Sequence, residues 1–175
     1  MLRGAIISPD QELTERLVAA LEGQRIGILR RVHRYPNTVD LVRFLRAAAP
    51  QVVFLGVESR ADALDVAARI AANAPGTQVV ALNRTCDPPT LLETMRAGIR
   101  EFVSPPFDTR AISELVGRLR EALDQQPVTI ESTDALYAFL PAKPGVGATT
   151  AAVNTAVALS ELPDTNVLLA DFELK

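Results

Sequence analysis

The sequence has little of what disulfide formation, metal binding or membrane insertion requires. Its one cysteine, Cys86, excludes an intramolecular disulfide and favours a cytosolic setting. Its one histidine, His33, has no second ligand at metal-binding spacing, so we expect no metal site and a surface position for His33, and Cys86, at a turn or helix start, is expected to have no role. No apolar run approaches the roughly 20 residues of a membrane span, and the N-terminus lacks the apolar core of a signal peptide. We therefore expect a cytoplasmic protein without direct membrane insertion.

The charge balance excludes a further class of partners. The formal net charge of −3 over 175 residues gives no electrostatic case for nucleic acid or an anionic membrane. One local cluster is nevertheless positively charged and consists of Arg25, Arg30, Arg31 and Arg34. We interpret the cluster as an exposed edge strand whose charges protect it from pairing with other strands.

What the sequence does contain is an alternation of short apolar runs with stretches of helical spacing. Five runs are predicted strands: Ala5–Ile7, Ile26–Leu29, Val52–Leu55, Val79–Leu82 and Phe102–Val103. Continuous apolar strands that alternate with amphipathic helices indicate a parallel sheet covered on both faces. The predicted fold of residues 1–123 is therefore α/β, a flavodoxin-like, doubly wound sheet of five parallel strands.

Five helices are predicted from apolar residues at helical spacing. The residues expected to face inward are Leu13, Leu17 and Leu21, then Leu41, Phe44, Leu45 and Ala48, then Ala63, Ala67 and Ile70, then Leu91 and Met95, and finally Ile112, Leu115, Leu119 and Leu123. Asp10 and Asp108 are the expected N-caps of the first and fifth helices, and Pro50 ends the second.

The pattern changes after residue 123. Residues 124–134 are polar and are predicted to form a linker. Residues 135–175 then contain a strand at Leu136–Leu140, a loop at Pro141–Gly147, a helix from Ala148 to about Leu162 and a strand at Val167–Ala170. This single β-loop-α-β unit is too short to close a doubly wound sheet. We expect it to be the start of a truncated P-loop domain.

Two segments of the first part resemble the receiver domain of response regulators. Residues 97–107, AGIREFVSPPF, resemble the receiver stretch in which an alanine-glycine pair leads into the fifth strand and a Lys-Pro-Phe turn. Residues 50–55, PQVVFL, resemble the strand that ends in the phosphorylated aspartate. The resemblance implies docking through the fourth helix, fifth strand and fifth helix.

The same resemblance implies that the phosphorylation site is degenerate. A working receiver needs a carboxylate nucleophile, two acidic Mg²⁺ ligands, a hydroxyl and a lysine. The acidic pair falls on Ser8 and Pro9, the nucleophile on Gly56, the hydroxyl on Asn83 and the lysine on Pro105. No catalytic residue is therefore predicted.

Two carboxylates were weighed as alternative acceptors. Glu58 lies two residues past the expected strand end, and residues 1–123 contain no lysine that could pair with a phosphoryl group. Asp10 is better explained as a helix cap. Neither is expected to be phosphorylated.

The loop in the second part resembles the deviant P-loop of MinD/ParA-type ATPases. The residues that match are Lys143, Gly145, Gly147, Thr149 and Thr150, with Asp171 after the next strand and Asn154 in the helix. The loop departs from the pattern at Ala142, where the first glycine belongs, and at Ala148, where the P-loop lysine belongs. We expect weak or vestigial nucleotide binding.

A receiver-like domain followed by such a P-loop resembles the TadZ/CpaE family of Tad/Flp pilus assembly proteins. The resemblance implies a non-enzymatic regulatory and localisation module, a homodimer that docks on pilus assembly or secretion proteins. It also implies polar placement or recruitment to the membrane by partners. No cofactor is expected in this chain, and ATP and Mg²⁺ only in a full-length parent.

Two other functions remain open at this point. A phosphorylatable response regulator in a two-component phosphorelay would need the receiver chemistry that the five positions lack. A ParA-like partitioning protein would use the arginine cluster on DNA, against the net charge and the missing P-loop lysine.

Overall fold

The structure is a computed structural model that describes residues 1–129, 137–141, 143, 145–161 and 167–171. The chain divides into two units, Met1–Ser132 and Thr133–Lys175, and each is described by itself. The sequence predictions for Leu136, Ala142, Leu162 and linker residues 130–134 lie outside the described residues. No helix in the described ranges is both long and apolar enough to span a lipid bilayer.

The first unit contains one sheet of five parallel strands in the order β2-β1-β3-β4-β5. The strands are β1 (Leu2–Ile7), β2 (Ile26–Val32), β3 (Val52–Gly56), β4 (Gln78–Leu82) and β5 (Glu101–Val103). The helices that follow them are α1 (Gln11–Leu21), α2 (Thr38–Ala48), α3 (Arg60–Asn73), α4 (Pro88–Arg96) and α5 (Thr109–Gln125). The strand order confirms the predicted flavodoxin-like, doubly wound fold.

The sheet is buried between two apolar layers. On one face the side chains of α1 and α5 pack against alternate strand residues such as Ile6 and Phe54. On the other face α2 and α3 pack against Ala5, Val53 and Leu55. Phe54 and its neighbours on β3 are fully buried, because a central parallel strand is covered on both sides.

Aspartate and asparagine caps begin four of the helices. The carboxylate of Asp10 accepts a hydrogen bond from the Leu13 amide (3.0 Å), and that of Asp108 accepts from the amides of Arg110 (2.8 Å) and Ala111 (3.1 Å). Asn37 and Asp87 cap α2 and α4 in the same way. Each cap satisfies an amide that the first helical turn leaves without a partner. The predicted caps Asp10 and Asp108 are confirmed.

The strand β2 lies at one edge of the sheet and carries a β-bulge. Gly4 is opposite Ile28, but Ala5 is opposite Arg30, so Leu29 is an extra residue on β2. Arg30, Arg31 and the cluster residue Arg25 are exposed. The predicted charged edge strand is confirmed for Arg30 and Arg31, whereas Arg25 and Arg34 flank β2. That these charges protect the edge from pairing stays a prediction.

The inward face of α4 differs from the prediction. Met95 was expected to face inward with Leu91, but Met95 is 57% exposed and Leu91 is only partly buried. Thr90 and Thr94 are buried instead. Both hydroxyls are satisfied inside the helix, Thr90 Oγ1 by Asp87 Oδ2 (2.8 Å) and Thr94 Oγ1 by the Thr90 carbonyl (3.0 Å). Threonines that bond within their own helix can be buried at little cost, which apolar periodicity does not register.

The boundary after α5 also differs from the predicted one. The linker was expected from residue 124, whereas α5 continues to Gln125. Val128 packs against the apolar layer of α1 and α5, and the Thr129 amide donates to the Pro75 carbonyl (2.7 Å). Residues up to 129 therefore belong to the receiver-like unit.

In the second unit the predicted helix is confirmed as α6 (Ala148–Ser160). The two predicted strands are wrong for their described residues, because neither 137–140 nor 167–170 is in a strand. A strand exists only when its backbone pairs with a neighbour, and an apolar run alone does not supply one. Of the predicted β-loop-α-β unit, the described residues therefore show only the helix and not the strands.

Candidate functional site

The strand register brings the predicted site residues to one edge of the sheet. The last residues of β1, β3, β4 and β5 lie level with one another. The residues at and after these ends therefore meet at the carboxyl edge, where doubly wound sheets place their sites. They are Ser8 and Pro9 after β1, Gly56 at the end of β3, Asn83 after β4 and Pro105 beyond β5.

A hydrogen-bonded network of Ser8, Tyr35 and Glu58 occupies the part of this edge between β1 and β3. Ser8 is fully buried, and its Oγ donates to Glu58 Oε1 (3.0 Å) and accepts from the Asp10 amide (3.1 Å). The Tyr35 hydroxyl lies within donating distance of Glu58 Oε2 (3.1 Å) and the Gly56 carbonyl (2.9 Å). Ser8 thus holds Glu58 Oε1, and the single Tyr35 hydroxyl proton is shared between Glu58 Oε2 and the Gly56 carbonyl.

Gly56 has no room for a side chain inside this network. A Cβ atom built on Gly56 would lie 2.8 Å from Ser8 Cβ and 2.7 Å from Ser8 Oγ, and it would also meet Glu58 Oε2. Carbon atoms in contact ordinarily lie about 3.5–4.0 Å apart. The space that an acceptor aspartate would need is therefore filled by Ser8 and Glu58.

Burial and negative charge both act on Tyr35. The pKa of Tyr35 is raised to about 12, first by burial and also by the neighbouring Glu58 carboxylate, against the opposing effect of the Ser59 amide, which donates to the phenol oxygen (3.2 Å). The neutral phenol is the form that this network holds, because only the protonated oxygen can donate to an acceptor.

Asp10, the acidic residue nearest the lost pair, is paired with Arg84. The guanidinium contacts Asp10 Oδ2 through Nε (2.5 Å) and Asp10 Oδ1 through Nη2 (2.9 Å), and Nη2 also reaches Glu12 Oε2 (2.8 Å). The hydrogen bond from Arg84 holds the pKa of Asp10 below its usual value. Both Asp10 oxygens are thereby used for capping and for the ion pair.

Asn83 and Pro105 complete the edge without adding charge. The Asn83 side-chain oxygen accepts from the Arg84 amide (2.9 Å), and its backbone amide donates to the Val103 carbonyl (3.3 Å). Pro105 is half-buried and joins Pro106 through a cis peptide bond. Neither side chain supplies the hydroxyl or the cation of a working receiver.

These residues do not fit the Mg²⁺ ion that receiver chemistry requires. The ion takes carboxylate ligands at short range, and here Ser8, Pro9 and Gly56 stand at the three acidic positions. Across the described ranges no three His, Cys, Asp or Glu side chains come together as a metal site.

Sequence reasoning missed Tyr35 and Arg84. Glu58 was weighed only as an acceptor, not as a group that fills the site. A glycine at the acceptor position was the available signal, because it leaves a space that other side chains must occupy. The sequence does not show that a tyrosine after β2 reaches this space.

The P-loop-like residues lie at the start of α6 in the second unit. Gly145 and Gly147 have positive φ angles of 78° and 83°, and Gly147 is the N-cap. Lys143, Thr149 and Thr150 are exposed, as is Asp171. Their role in nucleotide binding stays a prediction.

Comparison with solved structures identifies the fold of the first unit. A BeF3-activated DrrB receiver domain is 21% identical, with a TM-score of 0.55 over 69% of this chain and 98% of its own. A response regulator from Thermotoga maritima is 20% identical, with a TM-score of 0.59 over 69% and 98%. A Burkholderia pseudomallei protein described as pilus assembly-related is 21% identical, with a TM-score of 0.59 over 70% and 91%. The fold is that of a receiver domain.

At the level of sequence the comparisons found no such match. No family model and no curated protein matches the chain.

We predict that Gly56→Ala destabilises the first unit by roughly 1–3 kcal/mol, because the new methyl group overlaps Ser8 in a packed site. Gly117→Ala is the matched control, since a Cβ at that position in α5 meets no atom within 4 Å. The control is expected to stabilise by about 0.5–1 kcal/mol through helix propensity. Urea unfolding followed by circular dichroism measures both changes. Equal effects of the two substitutions would contradict the packing of Gly56.

We predict that Tyr35 titrates near pH 12 in the folded protein, against about 10 in the unfolded chain. The raised pKa means that the stability from the neutral phenol is fully present below pH 10 and is lost as pH rises through 12. Tyrosinate absorbance in a Tyr137→Phe background reports Tyr35 alone, because the chain has two tyrosines. Glu58→Gln should lower the midpoint. A midpoint of 10 in the folded protein would show that the phenol is not held as described.

Proposed function

We propose that the first unit is a phosphorylation-incompetent receiver that acts by protein docking, as the regulatory and localisation module of a TadZ/CpaE-like pilus assembly protein. The observation that carries the proposal is the closed acceptor position. Gly56 has no carboxylate, and Ser8 and Glu58 fill the space where one would project.

Phosphoryl transfer to this edge would require groups that the described residues do not supply. An acceptor needs a free carboxylate, a metal ion to neutralise the phosphoryl oxygens and a cation to stabilise the product. Glu58 is bound by two hydroxyl groups and Asp10 by Arg84. Residues 1–129 also contain no lysine. These features support a non-enzymatic role over a phosphorelay.

The surface proposed for docking is formed by α4, β5 and α5. Leu92 and Met95 on α4 are 54% and 57% exposed. Across the neighbouring elements, Arg118 on α5 and Glu101 on β5 form a bidentate ion pair (2.9 and 2.8 Å). Two exposed apolar side chains beside paired charges suit a modest interface, so we propose weak homodimerisation or docking on an assembly protein.

The pilus assembly assignment has two supports. The first unit is similar in fold to a protein described as pilus assembly-related. The second unit carries the P-loop-like sequence, whose residues Lys143, Gly145, Gly147, Thr149, Thr150 and Asp171 would hold ATP and Mg²⁺. Ala148 in place of the P-loop lysine removes a charge-assisted contact of about 1.5–3 kcal/mol, which disfavours a ParA-like partitioning ATPase.

Phosphate incorporation tests the first half of the proposal. The 175-residue chain is incubated with Mg²⁺ and radiolabelled acetyl phosphate beside a phosphorylatable receiver as positive control. We expect no incorporation above that of the heat-denatured chain, because no carboxylate is free at the edge. Labelling that Glu58→Gln or Asp10→Asn abolishes would identify an acceptor and overturn the proposal.

Sedimentation tests the docking surface. We expect weak, concentration-dependent self-association that Met95→Glu reduces, since the charge would be buried without a partner at the interface. Val39→Glu is the control, because Val39 is 67% exposed and lies on α2, outside the proposed surface. A strict monomer at high concentration would contradict the homodimer, and an equal effect of both substitutions would contradict the surface.

A further inference from the structure

The outer edge of β2 is an unpaired strand edge with side chains presented to both sides. Among the described residues β2 pairs only with β1, so its other backbone edge has no strand partner there. Residues opposite each other on parallel strands share a face, and Arg30 is opposite Ala5 while Arg31 is opposite Ile6. The two arginines therefore project on opposite sides of the sheet. Leu29, the bulge residue that precedes them, is 54% exposed.

The positive charge along this edge is not neutralised within the unit. Arg25, Arg30 and Arg31 form no ion pair in the described part of the chain, and Arg34 approaches Asp40 only at 3.9 Å. Elsewhere, by contrast, Arg118 meets its carboxylate at 2.8 Å. The edge thus keeps guanidinium groups available for carboxylates from outside the unit.

The same charges disfavour a second copy of the chain as occupant. Pairing of two β2 edges would bring the arginines of one copy near those of the other, and like charges on facing strands destabilise a sheet. A negatively charged strand would instead be attracted to the arginines at these positions. The charge of the edge therefore favours an acidic strand over a second copy of the chain.

We propose that the β2 edge binds an extended acidic segment of a partner protein, which adds to the sheet as a sixth strand. A strand presents side chains alternately to both sides, which matches the opposed directions of Arg30 and Arg31. A membrane surface or a nucleic acid offers no peptide backbone that could pair with this strand edge. This edge lies at the opposite end of the sheet from β5, so the inference is independent of the docking surface proposed above.

The bulge determines how much of the binding free energy can come from backbone hydrogen bonds. It divides β2 into two short stretches, 26–28 and 30–32, and so limits the number of backbone hydrogen bonds that an added strand can form. Side-chain ion pairs must then supply much of the affinity. The binding is therefore expected to be salt-sensitive.

The test uses the full chain and a labelled peptide of repeated Val-Glu-Glu-Thr units, with a lysine-for-glutamate peptide as the probe control. Fluorescence anisotropy measures affinity, and amide hydrogen exchange of Ile26–Val32 reports strand addition. We expect that only the acidic peptide binds at about 0.05 M salt and that it protects the β2 amides from exchange. Its affinity should fall sharply at about 0.5 M salt. Arg30→Glu with Arg31→Glu should lower the affinity about tenfold or more.

The matched control is Arg43→Glu with Arg46→Glu on α2, which changes the net charge equally and leaves the edge intact. It should change the affinity by no more than about twofold. No binding at low salt, equal loss in both double variants, or binding without protection of β2 would overturn the proposal. The proposal would also be overturned if phosphatidylserine vesicles or duplex DNA bound more tightly than the acidic peptide and this binding depended on Arg30 and Arg31. The edge would then be assigned to a membrane or to a nucleic acid.

Discussion

A parallel sheet buried on both faces can present polar groups only at the ends of its strands and along its two edge strands. In this protein α1 and α5 cover one face and α2 and α3 the other, so the central strand β3 holds only apolar residues. The polar groups of the first unit with a proposed role lie at three places. These are the carboxyl edge around Gly56, the β2 edge, and the surface of α4, β5 and α5.

At the carboxyl edge, polar groups that a receiver would direct at metal and phosphate are directed at one another. Glu58 accepts a hydrogen bond from Ser8 and lies within donating distance of the Tyr35 hydroxyl, and Arg84 pairs with the carboxylate of Asp10. Buried polar groups are tolerated when each has a partner, and none of the described buried side-chain polar atoms lacks one. The edge is thus stabilised by internal bonds, which supports a fold that does not depend on an ion or a modification.

The two edge strands of the sheet differ in what they offer. β5 is short; α4 before it in the chain carries exposed apolar residues, and α5 after it forms an ion pair with it. β2 is longer, lies at the other end of the sheet and carries, around a bulge, arginines that form no ion pair with the described residues. An apolar surface and a charged one favour different kinds of partner.

The sequence by itself determined the elements and their order, because each depends on neighbours along the chain. Apolar runs marked the five strands, helical spacing marked the buried faces of α1 and α5, and Asp10 and Asp108 marked helix starts. Only the tertiary structure decided what meets across the chain. It placed Tyr35 against Glu58 and Arg84 against Asp10, it turned Thr90 inward on α4, and it left 137–140 and 167–170 without strand pairing. These outcomes depend on contacts between distant residues, for which local periodicity carries no information.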